Sequence, residues 1–222
     1  MRNRGDVVPI SRENVIKALE QARQGEKRKF TQSFDLLITF KGLDLKKAES
    51  RINEEVMLPH GIGRTQKVVF FAGGELARKA RDAGADLVLD REDVEALQKD
   101  RKRAKEVSNS YDSFVSQSDF MPLIGKALGP ILSPRGKMPR PVPPTVDPKP
   151  IIERYKKTVR VRMRDQPVIH VMIGVESMKN EQLADNIQAV LDVLEHKFEA
   201  IFRQIASIQV KVTMGKPSKI EV

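Results

Sequence analysis

The run Val68-Val69-Phe70-Phe71-Ala72-Gly73-Gly74 is apolar at every side chain until it reaches two glycines. A strand that is apolar on both faces is typical of a parallel sheet covered by helices on both sides. We therefore predict a small doubly wound α/β unit over residues 67–155. The flanking sequence supplies its other predicted elements, which are helices over residues 75–83, 91–105 and 119–128 and strands at 86–89 and 113–116.

Outside this unit the predicted strands alternate instead. Apolar and polar residues alternate over 33–40, 159–164 and 208–213, as expected for antiparallel strands with one face against helices. Helices are predicted after Ser11, an expected N-cap, and over 183–198. Each outer segment alone is too small to be stable. We predict a discontinuous α+β domain of residues 1–66 and 156–222, with a hinge at two Pro/Gly clusters, 58–64 and 139–150.

The charge of the chain favours a polyanionic partner. The 222 residues carry a formal net charge of +10 and the pI is about 9.8. The two outer segments contribute +4 and +3, and the middle segment +3. Such an excess points to nucleic acid. A basic surface that serves only solubility remains an alternative.

Several classes of function lack support in the sequence. The chain has no cysteine, which excludes disulfides and thiolate sites, and a reducing cytosol is the simpler expectation. It has neither a signal-peptide pattern nor an apolar run of about 18 residues, so we expect no membrane contact. The three histidines lack metal-ligand spacing, and no P-loop or catalytic constellation occurs. We expect no enzyme activity, cofactor or metal.

Two basic segments each allow two interpretations. Arg160, Arg162 and Arg164 share one face of a predicted strand, which suits either a nucleic-acid platform or a solvated edge. The acid-free stretch between Asp119 and Asp147 contains seven prolines and predicts a stiff basic loop. Such a loop would either face phosphates or wrap the sheet.

Four blocks of sequence together resemble one known family. Their order and spacing are similar to those of the ribosomal protein L-one family of the large subunit, and Thr213-Met214-Gly215-Lys216-Pro217-Ser218 is closest to archaeal members. The resemblance runs along nearly the whole chain. The blocks are Leu58-Pro59-His60-Gly61-Ile62-Gly63, Leu128-Gly129-Pro130-Ile131-Leu132-Ser133-Pro134-Arg135-Gly136-Lys137-Met138-Pro139, Leu183-Ala184-Asp185-Asn186-Ile187 and Thr213-Met214-Gly215.

The resemblance implies a fold and a function. The fold is an RRM-like split β-α-β domain from both termini with an inserted Rossmann-like three-layer α/β domain. The function is that of a structural component of the large (50S) ribosomal subunit that binds 23S rRNA and forms the mobile stalk near the E site. There it would assist release of deacylated E-site tRNA. It also implies repression of translation by binding its own mRNA, a cytoplasmic location and a monomer when free.

The resemblance also implies RNA contacts at named positions. Ser33 stands where many members have Thr, and Lys216 is an extra residue before Pro217. The chemistry suits RNA, because an aromatic ring can pack on a base or ribose and small hydroxyls can meet a 2′-OH or a phosphate oxygen. The expected RNA-binding residues are Lys29, Phe30, Ser33, His170, Ser177, Thr213, Met214 and Gly215.

Two other functions stay open at the level of sequence. The first is an enzyme that binds a nucleotide or phosphosugar with the inserted α/β domain, where Gly73-Gly74 would place amides at a helix N-terminus. A tight strand-to-helix turn is the simpler interpretation of these glycines. The second is a general basic DNA-binding protein or chaperone.

Overall fold

The computed structural model describes residues 11–24, 28–43, 52–163 and 166–221. Its Cα positions divide into two compact units. The outer unit comprises Met1–Arg64 and Lys157–Val222, and the inserted unit comprises Thr65–Lys156. The second change of unit therefore falls at Lys157, after the proline-rich stretch and not within it.

In chain order the helices and strands are α1 (Arg12–Arg23), β1 (Ser33–Phe40), β2 (Asn53–Met57), β3 (Val68–Phe71), α2 (Gly74–Asp82), β4 (Leu87–Leu89), α3 (Arg91–Lys99), α4 (Arg101–Ser110), β5 (Ser113–Gln117), α5 (Met121–Ala127), α6 (Gly129–Arg135), β6 (Arg140–Val142), α7 (Pro148–Lys156), β7 (Thr158–Arg162), β8 (Val168–Val175), α8 (Asn180–Lys197), α9 (Glu199–Phe202), β9 (Ile205–Val212) and β10 (Ser218–Ile220).

The outer unit is built on a four-stranded antiparallel sheet with the strand order β10-β9-β1-β8. Strand β1 lies between two strands from the far end of the chain, with Phe34 opposite Gly174 on one side and Val212 on the other. The predicted alternation of β1 is confirmed, since Phe34, Leu36, Ile38 and Phe40 are buried and the residues between them, Leu37 included, are half-buried. Helices α1 and α8 cover the buried face, where Leu19 and Ile187 join the same apolar cluster as Phe34.

The two predicted amphipathic helices of the outer unit are confirmed. Helix α1 buries Val15, Leu19 and Ala22, and α8 buries one apolar face from Leu183 to Leu194. Helix α1 does begin after Ser11, but the Ser11 side chain accepts no hydrogen bond from the first turn. Burial of the apolar stripe, and not the cap, therefore stabilises its start.

A separate two-stranded sheet pairs β2 with β7. Val161 is buried, whereas Arg160 points outward, lies opposite Glu55 and donates from Nε to Asn53 Oδ1 at 2.7 Å. Arg160 is thus engaged with the neighbouring strand, which favours the interpretation as a structural edge at that position, whereas Arg162 lies opposite Asn53 and its buried Nη1 has no hydrogen-bond partner among the described residues. Arg164 lies outside the described residues.

The inserted unit has a parallel sheet with the strand order β4-β3-β5-β6. Because β3 is apolar at every position, its successive side chains enter two different cores. Val69 and Phe71 pack with apolar residues of α3 to α6, and Val68 and Phe70 pack with those of α2 and α7. The result is three layers, and the predicted mixed α/β and α+β class is confirmed.

The single helix predicted over residues 91–105 is in fact two helices. Asp100 has non-helical backbone angles, φ −104° and ψ 86°, and its Oδ1 accepts from the N–H groups of Lys102 and Arg103 at 3.0 and 3.1 Å. An aspartate that bonds nearby amides competes with helix continuation. Asp100 therefore ends α3 and caps α4.

The basic loop predicted between Asp119 and Asp147 is wrong over residues 129–135, which form helix α6. Pro130 lies in the first turn, where a missing N–H costs nothing, and Gly136 ends the helix with a left-handed φ of 69°. The Lys137 ammonium donates to two carbonyls at the end of α4, one of them Ser108 O at 2.9 Å. That contact supports the structural interpretation of this segment.

No helix within the described ranges is long and apolar enough to cross a membrane.

Candidate nucleic-acid interface

Three strand ends meet at one edge of the outer sheet. Strand β1 begins at Ser33, β8 ends at Val175 and β9 ends at Val212. Ser33 lies opposite Val175, and its neighbour Phe34 lies opposite Val212. The turns after β8 and β9 therefore leave the sheet beside the residues that enter β1. The strand-end surface is the name used below for residues 29–33, 176–177 and 213–215.

A pair of hydroxyl groups forms the centre of this surface. Ser33 Oγ and Thr213 Oγ1 lie 2.9 Å apart, and the Ser33 N–H donates to Thr213 Oγ1 at 3.0 Å. The Thr213 N–H donates back to Ser33 O at 3.1 Å. Both hydroxyls belong to residues at the accessible edge of the sheet. Each hydroxyl can donate and accept, which suits a ribose 2′-OH or a phosphate oxygen.

Gln32, which lies just before β1, connects this segment to the turns after β8 and β9. It is buried, its carbonyl accepts from the Glu176 N–H at 2.8 Å, and its side-chain Oε1 accepts from the Met214 N–H at 3.2 Å. One residue thus fixes the first residues of both turns. Gln32 is not among the residues expected from the sequence, because a glutamine between Thr31 and Ser33 has no pattern that marks it as buried.

Arg23 holds the turn after β8. Its Nε donates to Asn180 Oδ1 at 2.7 Å, Nη1 donates to Glu176 O at 2.8 Å, and Nη2 donates to another carbonyl of the turn. Its guanidinium also lies over the Phe34 ring, 5.0 Å from the centroid. Because Ser177 lies within this turn, Arg23 sets where the Ser177 hydroxyl is presented. Arg23 is likewise not among the residues expected from the sequence.

The strand-end surface exposes two large apolar side chains. Phe30 is 52% exposed and Met214 is 61% exposed, and both are next to hydroxyl-bearing or cationic residues. Lys29, Lys179 and Lys216 are also exposed around these turns. Exposed apolar groups beside cations suit a partner that offers both stacking faces and phosphates.

His170 does not join the other expected RNA-binding residues. It lies in the middle of β8, opposite Leu37, and its Nε2 is 3.5 Å from Asp35 Oδ2. Its side chain is on the open face of the sheet, several residues from the strand ends. By contrast, Lys29, Phe30, Ser33, Ser177, Thr213, Met214 and Gly215 all belong to the strand-end surface.

Gly215 closes the turn after β9. Its N–H donates to Val212 O at 2.9 Å, and a methyl group added at its Cα would lie 3.4 Å from Val212 Cβ and 3.6 Å from Ala22 O. The glycine therefore keeps the turn close to the end of α1. Larger side chains than methyl would displace the turn from that position.

The inserted unit gives little support to a phosphate site at Gly73-Gly74. The Gly73 N–H donates to Gln117 Oε1 at 3.4 Å, and Gly74 has a positive φ of 58°. These are properties of a tight strand-to-helix turn, as the sequence favours. Among the described residues, no cluster of histidine and acidic side chains could hold a metal ion.

Comparison with known proteins identifies relatives that all have the same name. One is the large ribosomal subunit protein uL1 of Methanothermobacter thermautotrophicus, 47% identical over 91% of this chain and 96% of the relative. The protein of the same name from Methanothermococcus thermolithotrophicus is 46% identical over 96% of this chain and 100% of the relative. That from Archaeoglobus fulgidus is 41% identical over 95% and 99%.

A family model covers most of the chain as well. The model described as the ribosomal protein L1p/L10e family matches residues 19–216, which include both units and every residue of the strand-end surface. Together with its archaeal relatives, this match confirms the expected family and the expectation that the protein is not an enzyme. The chain belongs to the ribosomal protein L1p/L10e family.

Proposed function

We propose that the protein binds 23S rRNA through the strand-end surface of the outer unit. The observation that carries this proposal is the junction of Ser33 and Thr213, 180 residues apart in sequence, at one exposed edge with hydroxyls 2.9 Å apart. A surface assembled from both ends of the chain and rich in donors, acceptors and cations suits folded RNA, which is read by shape, 2′-OH and phosphate contacts.

The side chains divide into two roles on this surface. Phe30 and Met214 offer exposed apolar area for a base or a ribose face, and Lys29 offers a mobile charge for a phosphate. Ser33, Ser177 and Thr213 supply small hydroxyls held by backbone contacts. Because those hydroxyls belong to turns fixed by Gln32 and Arg23, little ordering entropy is lost when RNA binds.

The two compact units act as two domains in this proposal. With the outer domain on the rRNA, the protein forms the mobile stalk near the E site and assists release of deacylated tRNA. The same surface binds the protein's own mRNA and represses its translation, because both RNAs would offer the same fold. The protein works in the cytoplasm, where the ribosome is, and is a monomer when free.

The first test removes the exposed ring of Phe30. We expect Phe30→Ala to weaken binding to deproteinised large-subunit rRNA of the same source by about 1–3 kcal/mol, the size of a lost stacking contact. Filter binding at fixed salt measures the Kd. Met57→Ala is the matched control, because Met57 is 57% exposed in the same unit but lies on the separate β2–β7 sheet. Equal affinities for both variants would remove Phe30 from the interface.

A further inference from the structure

The inserted unit has a cationic segment that the strand-end surface does not use. Residues 99–105 read Lys99-Asp100-Arg101-Lys102-Arg103-Ala104-Lys105, with five cations and one acid. All five cationic side chains are exposed. This segment has a net charge of +4, whereas the whole of residues 67–155 has only +3. The positive charge of the inserted unit is therefore concentrated here.

Two cations of the neighbouring helices have a carboxylate partner within their own helix. In α2 Lys79 Nζ lies 2.7 Å from Glu75 Oε1, and its hydrogen bond lowers the pKa of the Glu75 carboxyl. In α3 Arg91 Nε lies 3.6 Å from Glu95 Oε1. Within the described chain, none of the five cations of residues 99–105 is in an ion pair. The same holds for Arg78 and Arg81 of α2, so the lack of ion pairs leaves the five charges available to a polyanion but does not distinguish them from every neighbouring cation.

The first turn of α4 also has the wrong charge for its position. It holds Arg101, Lys102 and Arg103 and no acid, whereas the first turns of α2 and α3 both contain acidic residues. The partial positive charge at a helix N-terminus disfavours a cation there. The Asp100 cap offsets only part of this cost. A helix that breaks a local preference in this way is typical of a segment stabilised by a ligand.

The cations form a continuous face. At about 100° per residue, Arg101, Lys102, Lys105 and Asn109 fall within an arc of about 100° on α4. The buried residues Ala104 and Ser108 border this arc on the Arg101 side, about 60° and 20° away, and the exposed Glu106 borders it on the Lys102 side, about 40° away. A face about two turns long with three cations can contact two or three successive phosphates. Helix α6 packs beside α4 and adds the exposed Arg135.

We propose that this face of α4, formed by Arg101, Lys102 and Lys105, binds the phosphate backbone of RNA as a second contact. The argument is charge complementarity, because RNA is the polyanion that surrounds a component of the large ribosomal subunit. Phosphate contacts position a protein without reading sequence. The inference rests on the proposed function only in taking RNA as the partner, since the residues belong to a different unit from the strand-end surface.

The binding test compares two triple variants of the full-length protein. Arg101→Gln/Lys102→Gln/Lys105→Gln removes three charges from α4 but keeps helix propensity. Arg78→Gln/Arg81→Gln/Lys149→Gln removes three equally exposed charges from α2 and α7. Filter binding from 50 to 300 mM KCl, with deproteinised large-subunit rRNA in one arm and deacylated bulk tRNA in the other, gives the slope of log Kd against log salt.

We expect the α4 variant to weaken binding about threefold to tenfold and to reduce that slope by about two, since each phosphate contact contributes nearly one. The control variant should keep the wild-type slope. The arm in which the slope changes identifies the source of the RNA. Equal slopes for the wild type and both variants in both arms would overturn the proposal.

A crosslinking measurement locates the contact directly. The chain has no cysteine, so Asn109→Cys and Asp82→Cys each provide a single site for a photoreactive label. We expect the label at residue 109 to crosslink RNA several-fold more than the label at residue 82, and the α4 triple variant to abolish the difference. Equal crosslinking would contradict the proposal. If Phe30→Ala has no effect but residue 109 still crosslinks, the strand-end proposal fails and the α4 proposal stands.

Discussion

The hydroxyl group of Thr213, and not its methyl group, contacts Ser33. Its hydroxyl accepts from the Ser33 N–H and lies within hydrogen-bond distance of Ser33 Oγ. We expect Thr213→Ala to reduce RNA affinity by about 1–3 kcal/mol, because the RNA loses a hydroxyl partner and the Ser33 hydroxyl loses the group that positions it. Thr213→Ser should restore most of the affinity by returning the hydroxyl.

Binding titrations with large-subunit rRNA would measure both Thr213 variants. Thr39→Ala is the matched control, since Thr39 is half-buried at the other end of the same strand β1. If Thr213→Ser binds as weakly as Thr213→Ala, the hydroxyl is not what the RNA recognises.

Arg23 should act on RNA binding through the turn after β8 and not through a phosphate contact. Its three nitrogen donors are all used within the outer unit, two of them on carbonyls of that turn. We expect Arg23→Met to weaken binding about tenfold without changing the salt dependence. Its effect should be non-additive with that of Ser177→Ala, since both variants disable the same hydroxyl.

A double-mutant cycle on Arg23 and Ser177 provides the measurement, with salt titrations of each variant. Arg12→Met is a suitable control, because Arg12 lies on the same helix and its one side-chain contact within the described residues is an exposed ion pair with Asp185 at 2.8 Å. Additive losses, or a lower salt slope for Arg23→Met, would show that Arg23 does not act by positioning Ser177.

At the scale of an element, helix α8 fixes the loop that precedes the inserted unit. Asn186 is fully buried, its Nδ2 donates to Gly61 O and Ile173 O at 2.8 Å each, and its Oδ1 accepts from the His60 N–H at 3.2 Å. We expect Asn186→Ala to destabilise the outer unit by about 2–4 kcal/mol, because buried backbone groups lose their partners.

Amide hydrogen exchange of β1 would report this change in the outer unit alone. Both tyrosines, Tyr111 and Tyr155, lie in the inserted unit, so tyrosine fluorescence during urea unfolding gives an internal control that should not shift. Asp192→Ala, which removes an exposed hydrogen bond to Gln188 on the same helix, is the matched variant. Unchanged β1 exchange in Asn186→Ala would contradict a clamping role.

Sequence predicts a helix or strand well when the pattern of apolar and polar side chains within that element is enough to identify it. Strand β1 alternates cleanly and β3 is apolar throughout, so their type follows from side-chain periodicity. Strand β2, Asn53–Met57, has one buried residue and becomes a strand only by pairing with β7. The break at Asp100 was hidden because an aspartate fits a charged helix as well as a cap. Pattern fixes local structure, whereas pairing partners come from tertiary contacts.

The same limit applies to the strand-end surface. The family resemblance indicates Phe30, Thr213 and their neighbours, and the fold brings all of the expected residues except His170 together at one edge. Gln32 and Arg23 could not be found in this way, because their roles depend on partners more than 140 residues distant, as in the Arg23–Asn180 bond with a separation of 157. A one-dimensional pattern contains no information on such pairs.

At the scale of the whole molecule, charge should govern the strength of RNA binding. The net charge is +10, and the two outer segments together hold most of the excess. We expect Lys29→Ala to weaken binding and to lower the slope of log Kd against log salt by about one, as for a single lost phosphate contact. Lys41→Ala, at the opposite end of β1, is the control and should keep the slope. An unchanged slope for Lys29→Ala would exclude a phosphate contact.

The central position of β1 has a consequence for how the protein is made. A growing polypeptide completes residues 65–156 as one continuous stretch, so the inserted unit can fold as soon as that stretch has left the exit tunnel. Strand β1 can pair fully only after β8 and β9 have been synthesised. Ser33 can contact Thr213 only after 180 further residues have been added. If the strand-end surface binds RNA as proposed, a chain that stops before residue 213 lacks Thr213 and should bind RNA more weakly than the full-length chain.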